Sequence, residues 1–261
     1  MPTPLFEFFE VVAEELSAAQ LKVITHGDLQ TNEADSPLLA ALMKELKTLS
    51  MEDTVRGAVK KLESHFKAKG AKLPFEYLPD MGRFTAVDSE FLSFVNEMRG
   101  IRTIGKRSRD FECRVAHRIG IRTTGSIHRV GHPRDRKKKK VEFNKYLNTL
   151  GFSRPVLLGM EKDGGFDILW LLPLGTVPHR PIVSVQCKNG EFNMDAADTS
   201  VGAASRSFSQ HGGLQPGVHV PCVLFNDYIR SEILTRKQLN FVPLGLSDLA
   251  AIAPPISVKL I

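Results

Sequence analysis

Pro181-Ile182-Val183-Ser184-Val185-Gln186-Cys187-Lys188-Asn189-Gly190 is the stretch on which the reading of this chain turns. Its apolar, β-branched run is bounded by a proline and an Asn-Gly pair, which predicts a strand from Ile182 to Lys188. Side chains alternate along a strand. Val183, Val185 and Cys187 therefore share one face, suited to a core, and Ser184, Gln186 and Lys188 share the other. Gln186 and Lys188 stand next to each other on that face, near the strand's end.

Working back, Asp163-Gly164-Gly165-Phe166-Asp167-Ile168-Leu169-Trp170 opens another apolar run on an acid. Phe166 to Leu172 reads as the preceding strand, with Asp167 at its start. A hairpin between the two strands brings the Asp167 carboxylate beside Gln186 and Lys188. A carboxylate, an amide oxygen and a backbone carbonyl suit Mg²⁺, which takes oxygen ligands and keeps several waters. A lysine beside them can orient an attacking water and offset charge on a phosphorane-like transition state.

Charge supports the same direction. Of the 261 residues, the segment 99–145 holds 16 Lys/Arg against 4 Asp/Glu, whereas 1–98 holds 10 against 16 and 146–261 holds 9 against 9. The net charge of +6 is thus concentrated in one block. Such a block favours a polyanion, because each phosphate contact releases condensed counterions. Arg134-Asp135-Arg136-Lys137-Lys138-Lys139-Lys140 is its densest part, and it reads either as a solvated loop or as a phosphate-gripping segment. Arg107 and Arg109, with further arginines along 102–129, extend the field. Arg206 is a further candidate for backbone phosphate. Contacts of this kind set affinity and register, not sequence choice.

The bulk composition, 42% hydrophobic and 25% charged, is that of a globular chain. No apolar run reaches the roughly 18 residues a bilayer span requires, so no membrane is expected. Met1-Pro2-Thr3-Pro4 lacks the basic start of a secretory signal. Three cysteines, Cys113, Cys187 and Cys222, are too few for a disulfide framework and suit a reducing cytoplasm.

Helical periodicity covers Leu5 to about Val23. Ser36-Pro37 opens a second helix with a Leu38, Leu39, Leu42, Leu46, Leu49 stripe, and a third runs from about Met51 to Lys69, ending at Gly70. Residues 71–95, with Pro74, Pro79 and Gly82, read as a connector. A further helix is expected from Ser108 to Ile119, stopped by Gly120, with Phe111, Val115, Ala116 and Ile119 inward and Glu112 bordering the buried side. Strands are then expected at Val156–Met160, Phe166–Leu172 and Ile182–Lys188 as an antiparallel meander. A helix follows over Asp195–Ser209, then strands at Val218–Phe225 and Asn240–Leu246, with Ser247 capping a short final helix. The fold class is α/β, a central mixed β-sheet flanked by helices behind an N-terminal helical region. Residues 1–95 would form a mainly helical region and residues 96–261 a second domain.

The helix around Phe111-Glu112, the Asp167-led strand, the Gln186-Cys187-Lys188 strand and the helix after it resemble the PD-(D/E)xK nuclease superfamily, type II restriction endonucleases in particular. The resemblance covers roughly residues 105–230. It implies a restriction-endonuclease-like core and Mg²⁺-dependent hydrolysis of double-stranded DNA at a specific sequence. It also implies a homodimer, with residues 1–95 serving dimerisation or DNA embrace and residues 96–261 as the catalytic domain, and a bacterial or archaeal cytoplasm. Carried over, Asp167 is a metal ligand, Gln186 a weaker ligand through its amide oxygen, Cys187 a carbonyl ligand and Lys188 the catalytic lysine. Two departures stand out. Phe166 occupies a position often held by proline, and Gln186 replaces the second acid, which removes a negative charge. Glu112 is the expected compensating carboxylate, with Glu161 and Asp163 as other acids within reach.

Rival readings are a repair, transposition or junction-resolving nuclease of the same superfamily, and a DNA-binding module whose nuclease centre has decayed. Cys113, His117, His128 and His132 form an alternative zinc set, with two spacings of four. The second pair falls in a Gly-containing stretch, however, and no CxxC occurs. There is no Gly-rich phosphate loop, no GxSxG elbow and no HExxH.

Overall fold

The computed structural model describes residues 3–18, 23–25, 36–103, 108–123, 126–129, 167–172, 181–190, 193–199, 201–202, 219–229 and 239–252. The chain forms two compact units. The first comprises Met1–Gly105 with Arg230–Ile233 and Leu246–Ala251; the second comprises Lys106–Ile229, Leu234–Gly245 and Ile252–Ile261.

The first unit holds helices α1 (Pro4–Ala18), α2 (Ser36–Leu46), α3 (Met51–Ala68) and α4 (Ser89–Thr103). It also holds a small antiparallel sheet in the order β1-β3-β2, formed by Val23–Thr25, Arg83–Ala86 and Phe75–Leu78. Phe8, Phe9, Phe66, Phe84 and Phe91 are fully buried and interlock through edge and tilted ring contacts. Ser50 caps α3 by accepting from the Asp53 N–H, and the helix ends before Gly70 at φ 74°. Glu10 is buried on α1 and ion-pairs with Arg102 on α4. A 3-10 turn, Leu246–Ala250, packs against α3, where His65 Nε2 and Ser247 Oγ lie 2.8 Å apart and Lys69 Nζ lies 3.1 Å from Asp248 Oδ1.

Several expectations are corrected here. Residues 71–95 are not a connector: Phe75–Leu78 and Arg83–Ala86 form a hairpin through Gly82 at φ 58°, and α4 begins at Ser89. Pro79 and Gly82 mark the turn of that hairpin rather than an unstructured link. Helix α1 stops at Ala18, and Val23 belongs to β1. Leu49 falls beyond α2 and is 98% exposed, because Lys47 turns into the left-handed region at φ 56°. The expected domain boundary at 95/96 lies inside α4, which belongs whole to the first unit.

The second unit is built on α5 (Ser108–Arg122) and a five-stranded sheet in the order β4-β5-β6-β7-β8: Ser126–Arg129, Ile168–Leu171, Ile182–Lys188, His219–Phe225 and Val242–Leu244. β5 runs antiparallel to both β4 and β6; β6, β7 and β8 are parallel. The sheet is mixed, as expected. Parallel pairing of β6 with β7 requires a crossover, and residues 194–199 and 201–202 within it are helical. Ala197 and Val201 from that stretch pack with Val223, Phe225, Ile229 and Phe241. The strand antiparallel to β5 on its far side is β4, which sequence periodicity misses; the expected strand at Val156–Met160 lies outside the described residues. Gly120 does not stop α5, which continues to Arg122. The final segment forms a 3-10 turn at Leu246–Ala250 and not an α-helix capped by Ser247. Among the described residues no helix is long and apolar enough to cross a membrane.

Candidate functional site

β6 is central in its sheet, so both of its edges are satisfied, and its C-terminal end is held from either side. On the β5 edge, the Asp167 N–H donates to the Val185 carbonyl at 2.9 Å. The Asp167 side chain then turns back: its Oδ2 accepts from the Cys187 N–H at 2.7 Å and from Gln186 Nε2 at 2.6 Å. Asp167 is 4% exposed. Its carboxylate continues the ladder that the strand ends, which explains why an acid rather than an apolar residue leads β5. A strand residue turns its N–H and carbonyl to the same edge, so Cys187 presents its carbonyl oxygen on the Asp167 side as well.

Asp167, Gln186 and Cys187 therefore meet, as the spacing required. Lys188 is half-buried, stands two positions after Gln186 and shares its face of β6.

Glu112 sits over the other face. Arg129 on β4 aligns with Ile168, and Ile168 with Val185, so these three share a face with Cys187. Glu112 is 4% exposed on α5, and its Oε2 lies 3.9 Å from Arg129 Nη1. The charges on the two faces still act together at one atom. Burial pushes the Cys187 thiol well above its ordinary range, the Asp167 and Glu112 carboxylates push it further, and the Lys188 ammonium opposes them.

The donor set available to a divalent ion is oxygen-only, as Mg²⁺ requires, but sparse. It comprises the Asp167 carboxylate, the Cys187 carbonyl and the Gln186 amide, whose oxygen and nitrogen can exchange places by a flip. Among the described residues no three His, Cys, Asp or Glu side chains group to hold a metal. These residues fit an ion that retains most of its water. They do not fit one held by a full protein cage.

The remaining expected residues divide into two sets. Arg109 is exposed on α5. Arg107, Arg134, Arg136, Lys137, Lys138, Lys139, Lys140, Arg206, Glu161 and Asp163 lie outside the described residues. Of the alternative zinc set, Cys113 is half-buried and His117 exposed on α5, while His132 and the His128 side chain lie outside the described residues.

Sequence reasoning missed four polar contacts on this sheet. Ser184 Oγ lies 2.7 Å from His219 Nε2 across the β6–β7 pair. Asn226, fully buried after β7, donates its backbone N–H to the Lys188 carbonyl at 2.9 Å and its Nδ2 to Asn189 Oδ1 at 2.8 Å. Arg129 faces Glu112. The sequence signal for Asn226 is slight, a polar residue directly after the apolar run Val223-Leu224-Phe225. Comparison with protein-family models, curated proteins and solved structures finds no match to this chain.

Proposed function

We propose that the second unit is a Mg²⁺-dependent endonuclease acting on double-stranded DNA at a specific sequence, a type II restriction enzyme working as a homodimer. The observation that carries this reading is the convergence of Asp167, Gln186 and Cys187 at the end of β6, two residues from a lysine on the Gln186 face. The succession α5, three antiparallel strands, a helical crossover and a parallel strand supports a restriction-endonuclease-like core. Asp167, the Cys187 carbonyl and the Gln186 amide oxygen would hold the ion. When bound, Mg²⁺ supplies charge neutralisation at the phosphate and a more acidic water. Lys188 orients the attacking water and offsets the negative charge that develops on the phosphorus-bound oxygens. The Asp167 carboxylate is held by the Cys187 N–H whichever way the Gln186 amide faces. Exposed basic residues of the second unit, such as Arg109, and the Arg134–Lys140 run supply phosphate contacts, so binding weakens steeply with salt.

A second reading is favoured by one observation. Gln186 replaces an acid and donates its amide to Asp167, which suits a DNA-binding module with a decayed centre. Plasmid DNA incubated with Mg²⁺ separates the two. The enzyme yields discrete fragments, and Lys188→Ala lowers their rate at least about a hundredfold while gel-shift binding in Ca²⁺ is retained. Binding without cutting by the parent protein supports the module, and random or branch-directed cutting supports another nuclease of the superfamily.

A further inference from the structure

We propose that Asn226 is a positioning residue for Lys188, acting through Asn189; this rests on the nuclease reading above. Lys188 ends β6, where the backbone leaves the sheet, and the Gly190 N–H already folds back to the Lys188 carbonyl at 3.0 Å. The Asn226 N–H reaches the same carbonyl at 2.9 Å, from the β7 side. Its side chain then holds the next residue, with Nδ2 2.8 Å from Asn189 Oδ1. Asn226 is fully buried, so neither bond is shared with bulk water on its side. A buried amide N–H is costly to leave unpaired, and Asn189 Oδ1 is the acceptor that meets it. The pair therefore fixes Asn189 against β7 in one arrangement.

Opposite, the Asp167 carboxylate fixes Gln186 and Cys187 from the β5 side. The end of β6 is consequently gripped on both edges: Asp167 sets the metal-side atoms, and Asn226 sets the backbone from which the Lys188 stem departs. Without the second grip, a long flexible side chain would leave from a loose strand end. Small displacements of a catalytic group are expensive in rate.

A double-mutant cycle tests this. Asn226→Ala, Asn189→Ala and the double variant are compared with the parent for Mg²⁺-dependent plasmid cutting, and for hydrogen exchange over residues 186–190. Asn189 is only half-buried, so its alanine variant removes the same bond without opening the core. Each single variant is expected to lower kcat roughly ten- to hundredfold with KM for DNA unchanged, and to speed exchange over 186–190. The double variant is expected to be no worse than the worse single, because both delete one interaction. A cutting Asn189→Ala variant with the parent's kcat overturns this inference alone, as do losses that multiply in the double variant. A parent protein that does not cut overturns the nuclease reading and this inference with it.

Discussion

Ser184 and His219 illustrate what burial does to a single polar pair. Ser184 is 2% exposed, and its hydroxyl meets His219 Nε2 where β6 and β7 run in parallel. Burial lowers the His219 pKa from 6.5 to about 4. The folded protein therefore keeps the imidazole neutral over a range where the unfolded chain takes up a proton. Its contribution to stability is complete above pH 6.5 and is lost as pH falls through that value towards about 4. Thermal melts across this window are expected to show Tm falling with acidification, and His219→Gln, which keeps a polar partner for Ser184, is expected to flatten the slope. A slope unchanged in the variant would remove His219 as its origin. Asp167 shows the opposite use of burial: its carboxylate replaces a strand's missing ladder partner, and so an acid survives at a position that would otherwise be apolar.

Two glycines separate backbone necessity from tolerance within elements. A Cβ at Gly245, just after β8, would lie 2.7 Å from the Asp227 carbonyl oxygen and 3.0 Å from the Ile229 nitrogen. Both are backbone atoms, so Gly245→Ala is expected to cost about 1–3 kcal/mol, read as a lowered urea midpoint. Nothing lies within 4 Å of a Cβ at Gly120 on α5. Gly120→Ala is expected to gain up to about 1 kcal/mol through helix propensity. That glycine also shows why sequence misplaces the end of α5: a solvated glycine weakens a helix without ending it. Helices α1, α2, α3 and α5 are readable from their apolar stripes, whereas α4, equally long, is missed behind the Pro74, Pro79 and Gly82 that read as a connector. β2, β3 and β4 are not readable, because Phe75-Glu76-Tyr77-Leu78, Arg83-Phe84-Thr85-Ala86 and Ser126-Ile127-His128-Arg129 lack the continuous apolar run that marks the equally short β5. In the candidate site, spacing and alternation foretell that Asp167 meets Gln186. They do not foretell that Glu112 faces Arg129 of β4, because a helix's face says nothing about which strand it covers.

Across the whole molecule, the first unit is closed by residues far from its beginning. Lys69 and Asp248 are mostly enclosed, with side chains 9% and 16% exposed, and His65 meets Ser247 beside them. Asp248→Ala strands the Lys69 ammonium and is expected to cost about 1.5–3 kcal/mol, measured by thermal or urea unfolding. Hydrogen exchange in the last turn of α3 is expected to rise in the same variant, and replacing Lys69 with Met as well is expected to recover part of the loss. Unchanged unfolding in Asp248→Ala would show that the pair contributes nothing to this unit. The route of the chain has a consequence for biosynthesis. Ribosomes deliver α1 to α4 early, yet the turn at Leu246–Ala250 that docks on α3 emerges only after the described strands of the larger sheet, so the helical unit waits for most of the chain before its packing can close.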